Sequence, residues 1–238
     1  MSIPSKALLC PHGTGSSGTI FRMQLAKFRL ALRNEFEFVF MDAPYSACPG
    51  PGILPMFAEA GPFHSWFGGE GATIDGRLAK INTAVHTAIE KWESSKNDPK
   101  SKIVGVLAFS EGALVASLLL WQQQIGQLPW LPTLQFATLI CCFFADEAGV
   151  HMLAQANTRG REKALIEVPT LHIHGRQDFC LVRARKLVTE HYTPQFANVM
   201  EFNGGHHLPS RREDCVEAVK RIMRLALKTP AGCSPSSE

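Results

Sequence analysis

A serine stands at the tip of a sharp turn between two apolar patterns. Ser110 lies at the centre of residues 107–113 (LAFSEGA), after an apolar run typical of a buried strand and before a helical pattern. This order of strand, turn and helix is typical of a nucleophile elbow, which needs small residues two positions either side of the serine. Gly112 meets that need, and Ala108 is a small residue where glycine is usual. The residue types and their spacing predict a nucleophilic serine.

A serine hydroxyl needs a neighbouring base and an acid that orients the base. Asp178 directly follows a later apolar strand pattern, and His206 and His207 follow the next one after two glycines. Serine, then acid, then histidine is the chain order found with a nucleophile elbow. Asp178 is therefore the candidate acid, with capping of a helix from about Leu181 as the alternative. His206 and His207 compete for the role of base, because a single histidine can be aimed at Ser110.

A glycine-rich segment, residues 11–18 (PHGTGSSG), follows the first predicted strand. It lacks the lysine of the phosphate-binding pattern G-x-x-x-x-G-K-S/T, and its glycines do not fit G-x-G-x-x-G. Acyl transfer instead needs two backbone N–H donors near the developing oxyanion. We expect these donors to be the N–H groups of Thr14, in this segment, and of Glu111, directly after the serine.

Short apolar segments alternate with longer amphipathic ones along the chain. The apolar segments that predict strands are 7–10, 36–41, 103–109, 136–144, 168–173 and 199–202. Helical spacing recurs over 21–32, 78–92 and 219–226. Strand and helix in alternation predict an α/β fold with a doubly wound, mostly parallel sheet. In such a sheet, functional loops follow the carboxyl ends of the strands.

Residues 43–72 interrupt this alternation with five prolines and six glycines. A long segment without a regular pattern is usually functional or disordered, and its aromatic residues favour a packed cap, or lid, over a pocket. We expect an apolar substrate pocket lined by four aromatic residues, Phe63, Trp66, Phe67 and Trp130. Residues 1–228 are predicted to form a single domain that includes this cap. The Pro/Ser-rich residues 229–238 are predicted to be a disordered tail.

Composition narrows the classes of function. A length of 238 residues fits one large α/β domain, and 45% hydrophobic residues exclude a mainly disordered chain. With 24 basic against 21 acidic residues, the net charge of +3 gives no electrostatic argument for nucleic acid. The longest apolar runs are far shorter than a membrane span of about 20 residues. Seven cysteines without a C-x-x-C pair predict free thiols and a cytoplasmic protein.

Two further groups of residues have alternative interpretations. His172 and His174 share one face of a predicted strand and have the types of metal ligands, but no third ligand is evident. We therefore expect core histidines and no metal. The basic clusters 183–186 and 211–212 are typical of solvated helix faces, and docking of an acidic carrier domain is the alternative.

Six ordered motifs resemble those of one protein family. They are residues 10–13 (CPHG), 41–44 (MDAP), 63–67 (FHSWF), 108–113 (AFSEGA), 174–178 (HGRQD) and 204–209 (GGHHLP). Over about residues 6–228 the chain resembles the FSH1-type serine hydrolases, a family common in fungi. The resemblance implies an α/β-hydrolase fold without a cofactor, with Ser110 as nucleophile, Asp178 as acid and His206 as base. Pro11 departs from the family pattern but removes no catalytic group.

Within that family the chain resembles the stand-alone thioesterases of fungal polyketide clusters, of the lovastatin and citrinin releasing kind. This implies hydrolysis of an acyl thioester, which frees a polyketide or another acyl chain from the acyl-carrier domain of a synthase in secondary metabolism. One alternative is a general carboxylesterase that acts on small esters with the same machinery. Another is a non-catalytic binding protein with a hydrolase fold, which the intact order of serine, aspartate and histidine argues against.

Overall fold

The computed structural model describes residues 5–69, 71–96 and 100–228. The strands are β1 (Lys6–Cys10), β2 (Glu37–Phe40), β3 (Tyr45–Ser46), β4 (His64–Ser65), β5 (Lys102–Phe109), β6 (Phe136–Ile140), β7 (Thr170–Gly175) and β8 (Ala197–Phe202). The helices are α1 (Gly18–Gln24), α2 (Ala26–Leu32), α3 (Ile74–Ser95), α4 (Glu111–Gln124), α5 (Asp146–Asn157), α6 (Leu181–His191) and α7 (Arg212–Lys228). The predicted tail, 229–238, lies outside the described residues.

Six of the strands form one sheet in the order β2-β1-β5-β6-β7-β8. Every neighbouring pair in this sheet runs parallel. The chain reverses its direction of winding beside β1, so the loops after β1 and β5 meet at a switch point, where sheets of this kind bind ligands. The predicted doubly wound, mostly parallel sheet is confirmed.

Helices cover both faces of the sheet. On one face, α3, α4, α5 and α6 pack into a large apolar cluster with the strands, and on the other face α1, α2 and α7 form a second cluster. The first twelve of the 14 residues of α4 are buried, which gives the residue before this helix a rigid support. Among the helices described, none has both the length and the apolar character that crossing a bilayer requires.

Two predicted elements end or break where the apolar pattern continues. The strand predicted over 136–144 ends with β6, because Cys141 takes a φ of 49° that a strand cannot continue. The helical pattern over 21–32 forms two short helices, since the N–H group of Leu25 turns back to two carbonyls of α1. Over 21–32 the side chains at helical spacing, Phe21, Leu25, Phe28 and Leu32, remain buried, so the apolar pattern is kept although the helix is broken.

The predicted cap, 43–72, leaves and rejoins the sheet domain at one short antiparallel pair of strands, β3 and β4. The next hydrogen bond outward joins the Ala47 N–H to the Phe63 carbonyl at 2.9 Å. Residues 47–63 therefore form an excursion with closed ends. Within it, Ile53 is buried, so the excursion packs against the domain. Glu70, near the end of the predicted cap, lies outside the described residues.

Candidate active site

Ser110 occupies the turn between β5 and α4. Its φ of 55° and ψ of −120° lie outside the regions that non-glycine residues readily adopt. A hydrogen bond of 2.9 Å from its N–H to the Ile140 carbonyl anchors the turn to β6. Gly112 is required nearby, because a Cβ at that position would lie 2.3 Å from the Pro11 carbonyl oxygen. The turn has the strained geometry of a nucleophile elbow.

Three predicted side chains meet beyond the carboxyl ends of β5, β7 and β8. Nε2 of His206 lies 2.8 Å from Oγ of Ser110, and Nδ1 of the same ring lies 2.8 Å from Oδ1 of Asp178. The side chains of His206 and Asp178 are 9% and 1% exposed. With its proton on Nδ1, His206 donates to Asp178 and leaves Nε2 free to accept from the hydroxyl. This geometry can remove the Ser110 proton during nucleophilic attack.

The Asp178 carboxylate remains charged although it is almost enclosed. Its Oδ1 also accepts the Cys180 N–H at 2.7 Å. Burial by itself raises the pKa of Asp178, but the hydrogen bonds from His206 and Cys180 outweigh it and hold the pKa below its usual value. The alternative role as a helix cap is not observed, because the N-cap of α6 is Cys180 and no side chain caps this helix.

Close packing sets the position of His206. A Cβ at Gly175 would lie 2.3 Å from the Gly205 carbonyl oxygen, so glycine lets the end of β7 touch the loop after β8. The imidazole of His206 packs against two phenyl rings, with centroid distances of 5.1 Å to Phe109 and 4.5 Å to Phe179. These contacts leave the ring little room to rotate away from its hydrogen bonds.

His207 has different contacts from its neighbour. Its Nε2 accepts the Gly205 N–H at 3.2 Å, and its Nδ1 lies 2.8 Å from the Leu208 carbonyl oxygen. Both bonds stay within the loop, and the residue is exposed. Of the two histidines that the sequence left in competition, the structure brings His206 to Ser110.

The loop after β1 lies beside the serine. Thr14 and Glu111, the residues predicted to supply oxyanion N–H groups, line the same cavity as Ser110. His12 holds this loop, because its Nε2 accepts the Ala43 N–H at 3.1 Å while its Nδ1 bonds to a carbonyl of the loop itself. Burial lowers the pKa of His12 to about 4, so its ring is neutral at pH 7 and able to accept.

A cavity of about 340 Å³ opens onto the Ser110 hydroxyl. Its walls are mainly apolar and include five apolar side chains: Pro51, Ile53, Phe109, Phe143 and Phe179. The first two belong to residues 43–72, so this segment supplies part of the cavity wall. Phe109 ends β5, Phe143 follows β6 and Phe179 precedes α6, and no sequence pattern marked these three as pocket residues.

The four aromatic residues predicted to line the pocket are not among the residues of the cavity wall. Trp66 is fully buried, and its Nε1 donates to the His12 carbonyl at 2.9 Å. Phe67 and Trp130 pack against the core, and Phe63 is half-buried in the excursion. A large ring in a cap gains more from packing on the core than from facing water in an open cavity. Phe63, Trp66 and Phe67 therefore belong to the packing of the cap segment, and Trp130 packs against the core from the segment after α4.

A thiol adjoins the hydrogen-bonded side chains. Within the described part of the chain, Cys141, Asp178 and His206 form one group whose potential metal-ligand atoms lie within 4.8 Å of one another. Burial raises the pKa of the Cys141 thiol well above its usual value, so the sulfur keeps its proton. That proton is donated to the His207 carbonyl at 3.5 Å. A protonated sulfur fits hydrogen bonding better than metal binding.

His172 and His174 lie in the core, 0% and 1% exposed. Nε2 of His172 is 3.0 Å from the Thr170 hydroxyl, and its ring packs against that of Tyr192 at 4.6 Å. Burial lowers the pKa of His172 to about 3 and that of His174 to about 4. Both rings are therefore neutral at pH 7, as core histidines must be.

Known proteins resemble the chain over most of its length. The sequence profile of the serine hydrolase family FSH1 matches residues 1–218. The esterase mlcF of Penicillium citrinum is 49% identical over 233 residues, which cover 94% of this chain and 92% of that protein. The dihydromonacolin L thioesterase of the lovastatin nonaketide synthase from Aspergillus terreus is 43% identical over 239 residues, which cover 93% of each chain.

Solved structures resemble the fold more than the sequence. The crystal structure of Zea mays acyl-protein thioesterase 2 superposes with a TM-score of 0.60 at 18% identity, over 94% of this chain and 95% of that one. This likeness agrees with the expected α/β-hydrolase fold. The family match spans Ser110, Asp178 and His206, and the two relatives cover nearly the whole chain. The chain belongs to the FSH1 family of serine hydrolases.

Proposed function

We propose that this serine hydrolase is an acyl-thioesterase, which hydrolyses a polyketide or another acyl chain from the carrier domain of a synthase. The observation that carries the proposal is the unbroken series of hydrogen bonds through Ser110, His206 and Asp178 beside an apolar cavity. The names of two relatives, an esterase and a thioesterase of the lovastatin nonaketide synthase, support the choice of an acyl substrate.

The first half of the reaction transfers the acyl chain to the enzyme. Oγ of Ser110 attacks the thioester carbonyl carbon while Nε2 of His206 takes the hydroxyl proton, and Asp178 stabilises the imidazolium. The N–H groups of Thr14 and Glu111 hold the oxyanion of the tetrahedral intermediate. The carbon–sulfur bond then breaks, and the proton on His206 passes to the departing sulfur.

The second half returns the enzyme to its starting state. A water molecule gives a proton to Nε2 of His206 as its oxygen attacks the acyl-serine carbonyl. The same N–H groups hold the second oxyanion, and the bond from carbon to Oγ of Ser110 breaks as His206 returns the proton to that oxygen. The products are the free carboxylic acid and the unmodified serine.

The cavity favours an apolar acyl chain. Its volume of about 340 Å³ lies near the lower end of the range of about 300–1,000 Å³ for small-molecule sites. Burying apolar chain surface against such walls is favourable by about 25 cal/mol per Å². A single acyl chain can therefore be held while its carbonyl carbon lies at Ser110.

The partner in this proposal is an acyl-carrier domain. Exposed Arg183 lies near the cavity, with its guanidinium carbon 5.1 Å from the ring centroid of Phe143. An acidic carrier domain would be attracted to this basic position next to the cavity wall. The six cysteines in the described residues are free thiols, which supports a reducing, cytoplasmic setting for such an encounter. We further propose that residues 1–228 act as one domain.

A general carboxylesterase is the second candidate function. It is favoured by the name of one relative, an esterase, and it would use the same groups with an alcohol as leaving group. The two functions are separated by kcat/KM for one acyl group presented as a pantetheine thioester, as a carrier-bound thioester and as a simple ester. A preference for the carrier-bound form supports the thioesterase, and comparable values support the carboxylesterase.

The first experiment is intact-protein mass spectrometry after treatment with a fluorophosphonate. We expect one adduct on the wild-type protein and none on Ser110→Ala, because the reagent reacts with a serine that a neighbouring base activates. Near-equal thermal midpoints of the two proteins would show that the substitution leaves the fold intact. The absence of an adduct on well-folded wild-type protein would favour the non-catalytic binding protein over both enzyme functions.

A further inference from the structure

The Glu111 side chain is buried beside the nucleophile, although the proposed mechanism uses only the main-chain N–H of this residue. Glu111 is 6% exposed and is the first residue of α4, directly after Ser110. A carboxylate in such a place must be satisfied by donors, because an unpaired buried charge is strongly unfavourable. The donors that surround Glu111 indicate what the side chain does.

Both oxygens of the carboxylate accept hydrogen bonds from one short segment, residues 65–67. The Ser65 hydroxyl lies 2.9 Å from Oε1 and 3.0 Å from Oε2. The Trp66 N–H donates to Oε2 at 2.9 Å, and the Phe67 N–H donates to Oε1 at 3.2 Å. A carboxylate serves both main-chain donors, whereas an amide would turn one of the two acceptors into a donor.

The same segment, together with the preceding His64, is also bound to the loop after β1. The His64 N–H donates to the Ser16 carbonyl at 2.7 Å, and the Ser16 N–H donates back to the His64 carbonyl at 3.3 Å. The indole N–H of Trp66 donates to the His12 carbonyl at 2.9 Å. Thr14 lies in the chain between these two contacts, so the segment held by the carboxylate also holds the loop that carries Thr14.

We propose that the Glu111 side chain is a positioning residue, which sets the spacing between the two N–H groups of the proposed oxyanion hole. One of these groups belongs to Glu111 itself, on the elbow. The other belongs to Thr14, on the loop that residues 64–67 hold. The carboxylate joins the two sides through that segment. This inference rests on the proposed function, because an oxyanion forms only where Ser110 attacks a carbonyl.

The negative charge of the Glu111 carboxylate is unfavourable at this position. A negative group one residue after the nucleophile opposes the negative charge that develops on the oxyanion. The three donors, the Ser65 hydroxyl and the N–H groups of Trp66 and Phe67, and the N-terminus of α4 offset that repulsion. A neutral side chain of the same size would fill the space without any repulsion, so the feature that this position uses is the pair of acceptor oxygens.

The test is the substitution Glu111→Gln, with turnover expressed per serine labelled to completion by a fluorophosphonate. We expect kcat to fall by about 10- to 100-fold, since a misplacement of about 1 Å costs up to about 10²-fold. KM should stay within about threefold, because the carboxylate oxygens bond to residues 65–67 and not to the ground-state acyl chain. The affinity for an alkyl boronic acid, whose adduct with Ser110 occupies the oxyanion hole, should fall in parallel with kcat/KM.

A matched control is Glu37→Gln. Glu37 is also a partly buried carboxylate that accepts an N–H, from the Trp92 indole at 2.9 Å, but it lies on β2 and not in the site. Its substitution should leave kcat and the boronic acid affinity within about twofold of wild type.

A second test variant is Ser65→Ala, which removes the shared hydroxyl and keeps both acceptor oxygens of Glu111. The fall in kcat should therefore be smaller than in Glu111→Gln. In the double variant, Ser65→Ala should add little to Glu111→Gln, because both act through the same contact.

Wild-type kcat and boronic acid affinity in Glu111→Gln would overturn the proposal, as would a change confined to KM. If Glu111→Gln does not fold, Ser65→Ala is the test. A parallel loss of kcat and boronic acid affinity in that variant supports the positioning role of Glu111, and unchanged values overturn it. If the proposed hydrolase function itself is wrong, the result differs from both of these. In that case the wild-type protein itself shows no adduct and no acyl hydrolysis.

Discussion

His206 and His207 are adjacent in the loop after β8, but their side chains have different surroundings. His206 packs against Phe109 and Phe179 and contacts Ser110. His207 bonds to main-chain groups of its own loop. Two residues of the same chemistry therefore differ in role through position alone, and substitution of each one in turn separates the roles.

We expect His206→Ala to lower kcat/KM for an acyl thioester by about 10⁴-fold or more, as loss of the base does in serine hydrolases with a triad. His207→Ala should lower it by less than about tenfold, because that ring does not reach Ser110. Steady-state kinetics of both variants make the comparison. The opposite order of effects would assign the base to His207 and contradict the geometry described above.

Some of the site could be predicted from single residues and some could not. Ser110 comes directly after β5 and Asp178 comes three residues after β7, so local patterns identify them. The choice between two adjacent histidines depends on the conformation of a turn, which residue spacing does not encode. The contacts of Glu111 are made 44 to 46 positions away in the chain. A signal was nevertheless present, since Glu111 is a lone charge in an otherwise apolar run.

At the scale of elements, α4 meets the loop after β1 through backbone alone. A Cβ at Gly112 would lie 2.3 Å from the Pro11 carbonyl oxygen and 2.5 Å from that of His12. Backbone atoms cannot swing aside as the end of a flexible side chain does. The distance between the elbow and the loop that carries Thr14 therefore depends on the absence of a side chain at Gly112.

We expect Gly112→Ala to destabilise the protein by about 1–3 kcal/mol, the usual cost of overpacking. For a domain of this size, that lowers the thermal midpoint by at least about 2 °C. The rate of fluorophosphonate labelling should fall as well, because the elbow and the loop move apart. Gly205→Ala is the control for stability, since the nearest atom to its Cβ would be 3.9 Å away. Equal midpoints in the two variants would contradict the close contact.

The sequence predicted the strands and helices whose apolar residues recur at regular spacing, and it missed those without such a pattern. Buried strands and the long helix α3 produce runs of apolar residues with regular spacing. The two-residue strands β3 and β4 are too short to show any alternation, although they attach the cap. Helix α5 was missed because its buried stripe, Ala148, Met152 and Ala156, contains two small residues. The helix break at Leu25 depends on a local turn that leaves the apolar spacing unchanged.

At the scale of the whole molecule, several buried histidines couple the fold to pH. The pKa values of His12, His172 and His174 lie at about 4, 3 and 4, because burial disfavours the charged form of each ring. In the unfolded chain each has an ordinary pKa of about 6.5. Below about pH 6.5 these histidines bind protons in the unfolded state but stay neutral in the folded state. Acid therefore favours unfolding.

The free energy of unfolding should be at its full value above about pH 6.5 and fall as the pH is lowered towards 4. Each of the three histidines contributes a slope of about 1.4 kcal/mol per pH unit over that interval. Urea unfolding at pH 7, 6 and 5 measures the combined slope. His172→Gln, which removes one titrating ring, should reduce the slope by about one histidine's share. An unchanged slope in that variant would show that His172 does not contribute.

The closed excursion, residues 47–63, has a consequence for how the protein can change over evolutionary time. Its two ends are joined at β3 and β4, and the entropy of closing a loop grows only slowly with its length. The excursion can therefore be lengthened, shortened or exchanged while its hydrogen bond to the loop after β1, from the Gly50 N–H to the Gly15 carbonyl, is kept. Pro51 and Ile53 would be replaced in the cavity wall, and the groups on β5, β7 and β8 would be inherited unaltered. New substrates can then be acquired by a single insertion or recombination, without an inactive ancestor between two active ones.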